Sequence, residues 1–324
     1  MLKTRLLLLT TLAVASGCGS TAPLDTPAPT ATATQTQALA VENGGNLNGG
    51  NLNGGNLNGG NLNGTDLSQF LVSVSTAGAQ IEGLPVTQLR VEGTRLVGNI
   101  GSWERSGYDF ENASFIGNLG DGTSIPLRVQ AIQPGPEGNA DLLEYWVEFR
   151  GSDDQWHPAC SDHTGAAVWA IPLAGLWDYT MGTPTGGTHV DDPDSFTFAC
   201  MGGAIAKCTL FGYRPWTQLS GTPLAPYHQA CTRLLRADFC GDGTPHTQDG
   251  NRVNLYDPLG VQQDTELWFF EARWDECGAR CVFPLNRSHQ GIPCADARMN
   301  LLCGLQPDPG ALLTDETPTL GLTP

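Results

Sequence analysis

The clearest alternation of apolar and polar positions lies between residues 125 and 149. Ile125, Leu127, Val129 and Ala131 alternate with Pro126, Arg128 and Gln130; Leu143, Tyr145, Val147 and Phe149 alternate with Glu144, Trp146, Glu148 and Arg150. A period of two describes a strand with one face buried. Asp121-Gly122 stands where a turn between strands belongs. Residues 89–97 predict shorter strands broken at Gly93, and the pattern runs on into 166–172. Together these stretches predict an antiparallel β-rich domain over residues 66–175.

Beyond residue 175 the pattern changes. Asp194-Ser195 ahead of an apolar run predicts a capped helix over 196–211, with acids near its start, Lys207 near its end and Gly212 as its stop. Cys200, Ala204 and Cys208 then share one face. A second helix is predicted over 225–236, with Tyr227, Cys231, Leu234 and Leu235 inward, and residues 253–256 and 266–274 are strand-like. The expected fold class is α+β: the N-terminal antiparallel β-rich domain followed by a disulfide-rich α+β domain over 176–305. The Pro/Thr-rich stretch over 306–324 predicts a flexible tail.

The first 65 residues follow a different logic. Lys3 and Arg5 precede an apolar stretch over 6–15, the length of a signal-peptide core and too short to span a bilayer. Ala15-Ser16-Gly17-Cys18 resembles the bacterial lipobox, with Ala15 where Leu is usual; ordinary cleavage after an A-x-A-like site is the alternative. The expectation is a signal peptide over 1–17 and an acylated Cys18 that anchors the protein to a membrane, with Gly19 pointing to the outer membrane. Residues 18–42 are a disordered Thr/Pro/Ala stalk by composition. Over 43–65 the unit Asn-Leu-Asn-Gly-Gly repeats, with Leu47, Leu52, Leu57 and Leu62 five apart and Leu67 in step. The spacing resembles the pentapeptide-repeat pattern, continued at Phe110 and Phe115, yet four sides make only about one coil. A flexible Gly/Asn linker and an ordered edge coil both fit, and either acts as a spacer.

Charge narrows the partners. The chain carries 33 acidic and 16 basic residues, a net −17 at pH 7, and loses Lys3 and Arg5 with the leader. So acidic a surface repels nucleic acid. With 41 glycines, 22 prolines and only 15% charged residues, the composition suits a loop-rich exported protein. Cys160, Cys200, Cys208, Cys231, Cys240, Cys277, Cys281, Cys294 and Cys303 are disulfide candidates, Cys231 with Cys240 being one plausible local pair.

Candidate chemistry is sparse. His157, Cys160 and His163 lie three apart and suit a metal or a thiol nucleophile; one disulfide half and two surface histidines is the plainer reading. His228 near Cys231 and Cys240 suggests a Cys–His pair, weakened if both cysteines are bridged. Asp191-Asp192-Pro193-Asp194 does not follow an EF-hand loop and reads as a helix cap in a solvated turn. No Gly-x-Ser-x-Gly, His-Glu-x-x-His or P-loop occurs. Trp146, on the polar side of its strand, is the tryptophan to test as a sugar platform. No catalytic residue, metal or cofactor is assigned.

Ala237-Asp238-Phe239-Cys240 resembles the hallmark of the bacterial ADYC domain, with Phe in place of Tyr. Phe196-Thr197-Phe198-Ala199-Cys200, Ala206-Lys207-Cys208, Gly212-Tyr213-Arg214-Pro215-Trp216 and His228-Gln229-Ala230-Cys231 resemble that family too. So do Asp249-Gly250, Tyr256-Asp257 and Glu271-Ala272-Arg273-Trp274. The resemblance covers about 150–300. It implies an exported, cysteine-rich protein and carries no activity with it. The expected role is a lipid-anchored envelope protein that binds or structures, with a protein or glycan partner; the alternative is an exported hydrolase of peptide or glycan. A pocket joining His228 or His246 to Asp242 or Asp249 would favour the hydrolase.

Overall fold

The computed structural model describes residues 71–161, 166–247, 251–288 and 291–318. The predicted leader, Cys18, the stalk and the repeat lie outside these residues, as do His163 and Asp249. Strands make up 41% of the structure and helices 11%. The α+β expectation is therefore wrong; the fold is mainly β and built on a six-stranded barrel.

The barrel strands are Leu71–Ile81, Ser114–Leu119, Ser124–Pro134, Leu143–Arg150, Ala170–Ala174 and Ser195–Cys200. In space, Ser195–Cys200 pairs with both Ala170–Ala174 and Leu71–Ile81, and the latter pairs with Ser114–Leu119; Ser124–Pro134 and Leu143–Arg150 follow. All pairings are antiparallel, and Tyr145 opposite Ala170 closes the ring. The alternation predicted at 125–149 is the barrel wall: Leu127, Val129, Tyr145, Val147 and Phe149 are buried in one core with Phe115, Phe196 and Phe198. Phe115 meets Phe196 and Phe198 edge-on at 5.9 and 6.0 Å, a favoured geometry for aromatic pairs. A three-stranded meander, Thr87–Glu92, Arg95–Ile100 and Trp103–Ser106, adds Leu89 and Leu96 to this core. Phe110 stacks on Phe115 at 6.4 Å inside the barrel, so these two residues continue no repeat coil.

The helix expected over 196–211 is two elements. Ser195–Cys200 is the sixth barrel strand, and α1 (Ala204–Leu210) begins only after Gly202-Gly203. The reason is double burial. Phe196 and Phe198 face the barrel interior, while Ala199 packs with Ile205, Ala206 and Trp177 outside it. Burial on both faces puts apolar Ala199 on the outer side next to Cys200, so the alternation that Phe196, Thr197 and Phe198 begin is cut short. The second helix, α2 (Ala225–Arg236), forms as expected, with Tyr227, Cys231, Leu234 and Leu235 buried. It packs on a four-stranded sheet ordered Asn254–Tyr256, Leu313–Thr317, Phe269–Asp275 and Gly278–Val282. The stretch expected to be a frayed tail thus supplies an inner strand, with Asp315 and Thr317 fully buried. Among the described residues no helix is long and apolar enough to cross a membrane.

Candidate functional site

One open cleft of about 280 Å³ is lined by Glu92, Gly93, Thr94, Arg95, Asp141, Leu142, Leu143 and Trp216. Three distant stretches build it. The first is the turn between the first two meander strands, where Gly93 takes φ +66°; a Cβ there would lie 3.4 Å from the Trp216 indole, so glycine suits both the turn and the contact. Next comes the approach to the strand Leu143–Arg150, tied in where the Leu143 amide donates to Thr94 Oγ1 at 2.8 Å. The third is the loop after α1, held by Arg214, which forks onto the Asp141 carboxylate at 2.5 and 3.0 Å and reaches Asn139 Oδ1 at 3.2 Å. Trp216 keeps 38% of its surface exposed. Glu92 is paired with Arg90 at 2.7 Å and Asp141 with Arg214. No carboxylate among the described residues lies within ion-pair distance of Arg95, which is exposed.

The residues singled out as reactive lie elsewhere. His228 is buried between the two helices, with Nε2 3.0 Å from the Ile205 carbonyl and 3.2 Å from Thr209 Oγ1. The carbonyl requires the proton on Nε2, and burial pulls the ring down to about 3, so it stays neutral. His246 is buried against Phe239 at 6.1 Å, and burial lowers it too. Neither histidine lines the cleft. Between described residues, four disulfides join Cys160 to Cys200, Cys208 to Cys231, Cys240 to Cys294 and Cys281 to Cys303. The expected local pair of Cys231 with Cys240 is not made, because α2 points Cys231 at Cys208 on α1. Cys277 lies in the turn after Phe269–Asp275, its amide donating to Asp275 at 2.8 Å. His157 is half-exposed and pairs with Asp153 at 2.9 Å, while Cys160 is bridged inside the barrel core. Asp194 caps no helix: its carbonyl accepts from Thr76, and the strand starts at once. Trp146 is half-buried and edge-on to Trp169 at 5.4 Å.

The Ala237-Asp238-Phe239-Cys240 stretch is a structural hub. Ala237 ends α2 in the left-handed conformation, φ 50° and ψ 40°. Asp238 is fully buried and accepts from Arg233 Nη1 at 2.5 Å and from the amides of Gly243 and Asp242 at 3.0 and 3.1 Å. Arg233 in turn donates to Gly186 O, Glu276 O and Thr188 Oγ1, drawing two separate loops onto the helix end. Phe239 stacks on Trp274 at 5.2 Å, and Cys240 bridges to Cys294. Nearby, Arg287 sits 2.8 Å from Glu271 and 3.1 Å from Asp315, all three at 0% exposure. Burial, and then the charge of Glu271, hold the Asp315 carboxyl well above its ordinary range, against the pull of Arg287.

The ADYC domain family model matches residues 107–288. This chain belongs to the ADYC domain family. The match starts well before residue 150, so the ADYC domain takes in three barrel strands beyond the cysteine-rich part. The barrel strand Leu71–Ile81, the three-stranded meander and the inner strand Leu313–Thr317 lie outside it. No curated protein and no solved structure matches the chain. The cleft itself spans the edge of the ADYC match, with Glu92 to Arg95 outside and Asp141 to Leu143 and Trp216 within. The sequence offered one signal for it, the Gly212-to-Trp216 stretch; nothing in that stretch names residues 92–95 or 141–143 as its neighbours.

Proposed function

We propose that the protein is a non-enzymatic binding module of the cell envelope, tethered through an acylated Cys18, that presents the Trp216 cleft to a small polar ligand. The four disulfides mark an extracellular or otherwise oxidising compartment, and the lipobox-like Ala15-Ser16-Gly17-Cys18 supports the anchor. The observation that carries the binding role is the contrast between two places. Groups able to act as base or nucleophile are buried or bridged: His228 is neutral, Asp238 is locked to Arg233, and Cys231 and Cys240 are in disulfides. The cleft holds an exposed indole, a hydroxyl, a guanidinium and two carboxylates already neutralised by arginines, a set suited to holding a ligand.

The mature protein incubated with a peptidoglycan digest is expected to bind components without cutting them. New reducing ends or free amines that vanish on Asp141→Asn would establish a hydrolase in its place. For the anchor, a fatty-acid analogue fed to cells should label the wild type and leave Cys18→Ala unlabelled; equal labelling rejects it.

A further inference from the structure

We infer that the Trp216 cleft takes a saccharide unit that carries a carboxylate, as a uronic acid does. The inference rests on the binding role proposed above and names the ligand class for that cleft.

Three features argue for it. Trp216 leaves over a third of its surface exposed, and its indole is braced against the Gly93 backbone. A rigid, half-exposed indole offers an apolar plane to the C–H face of a pyranose at little cost in side-chain freedom. Around it, Thr94 Oγ1 already accepts the Leu143 amide and has its own proton to donate, while Glu92 and Asp141 keep oxygens facing water. These groups match the alternating donors and acceptors of ring hydroxyls. Arg95 decides the charge. The two arginines that pair with the cleft carboxylates are committed, Arg90 to Glu92 and Glu104, and Arg214 to Asp141 and Asn139. Arg95 has no such carboxylate among the described residues, and its planar fork suits a carboxylate bidentately. A chain of net −17 repels anions at long range, so this lone guanidinium gives the cleft local selectivity for an acid borne by a sugar ring. The volume of about 280 Å³ lies at the small end of ligand sites and suits one or two sugar rings.

The test titrates the purified mature protein with a glucuronate-containing disaccharide and with its glucose counterpart, followed by tryptophan fluorescence and NMR shifts. The acidic sugar is expected to bind about tenfold or more tighter than the neutral one, the gain typical of a charge-assisted contact. Arg95→Gln should remove that preference, bringing the affinities for the acidic and the neutral sugar together. Trp216→Ala should abolish binding of both, and Trp216→Phe should restore part of it. Both side chains are solvent-exposed, so unchanged thermal midpoints will verify folding. Equal affinity for the two sugars, or an acidic preference that survives Arg95→Gln, overturns the inference. If neither sugar binds but a peptidoglycan digest still shifts the Trp216 signal, the saccharide-acid assignment falls and the binding role stands. If nothing in the digest binds and it is cleaved instead, both fall.

Discussion

The barrel and the helix–sheet region beside it are held by different forces. The barrel core is a stack of apolar side chains closed by a hydrogen-bonded ring, with Phe115, Phe196 and Phe198 at its centre and one internal disulfide. Its charged side chains sit mostly outside; Arg128 and Glu148, for example, meet at 2.6 Å on the outer wall. The second region carries the bridges Cys208–Cys231, Cys240–Cys294 and Cys281–Cys303, with Arg233, Arg236 and Arg287 fully buried among Asp238, Glu271 and Asp315. Its elements are short, with a seven-residue α1, a twelve-residue α2 and strands of three to seven residues. Short elements bury little apolar surface each, so crosslinks and buried ion pairs take over the task of fixing their positions. The ADYC hallmark belongs to that second solution. Its aspartate, aromatic ring and cysteine each fasten α2 to a different neighbour.

The largest test of this contrast is removal of residues 313–324. That deletes an inner strand and Asp315 together, leaving Arg287 short of a partner in the interior. The expected outcome is loss of protection from hydrogen exchange over α2 and the four-stranded sheet, with the barrel amides still protected. Acid comes next. His228 is held near 3, below its ordinary value, so its contribution is complete above about pH 6.5 and is lost as pH falls toward 3, a swing of about 4–5 kcal/mol at most. Asp315 acts with the opposite sign: raised in the folded state, its contribution is complete below about pH 4 and declines as pH rises through its folded value. Urea titrations from pH 7 to 4 should show the second region weakening first, and His228→Gln should flatten that slope.

Two smaller effects sharpen the comparison. Phe198→Ala should cost the barrel about 3–5 kcal/mol through the cavity left beside Phe115 and Phe196. Replacing Cys208 and Cys231 together by Ala, which opens a crosslink spanning 23 residues, should cost the second region about 3 kcal/mol. At the bottom of the scale, Glu104→Ala breaks only the exposed pair with Arg90 and should change stability by less than about 1 kcal/mol.

How legible each region was in the sequence follows from the same physics. Residues 125–149 advertise themselves because the barrel wall separates core from solvent, so apolar and polar side chains alternate. Residues 195–200 conceal their strand because α1 covers the outer face, and Phe-Thr-Phe-Ala-Cys then looks like the start of a helix. α2 is legible from its own 3.6-residue period. The strand at 313–317 is invisible: Leu-Thr-Asp-Glu-Thr is polar, and its burial depends on Arg287 and Trp274, which meet Asp315 only once the sheet has formed. The cleft is hidden for a related reason. Its three walls are some 50 to 75 residues apart in sequence, and Arg214, which joins two of them to each other, bears no local mark of doing so. The cysteines were legible as bridges through their number and context, while their pairing had to await the register of α1 against α2.

The most direct measurement is hydrogen exchange on the mature protein with and without a reductant able to open its disulfides. Protection is expected to collapse over 204–317 while the strands at 71–81, 114–119, 124–134 and 143–150 stay protected by their apolar core. Equal loss in both regions, or protection of α2 and its sheet that survives full reduction, would contradict the claim that crosslinks hold the second region and packing holds the barrel.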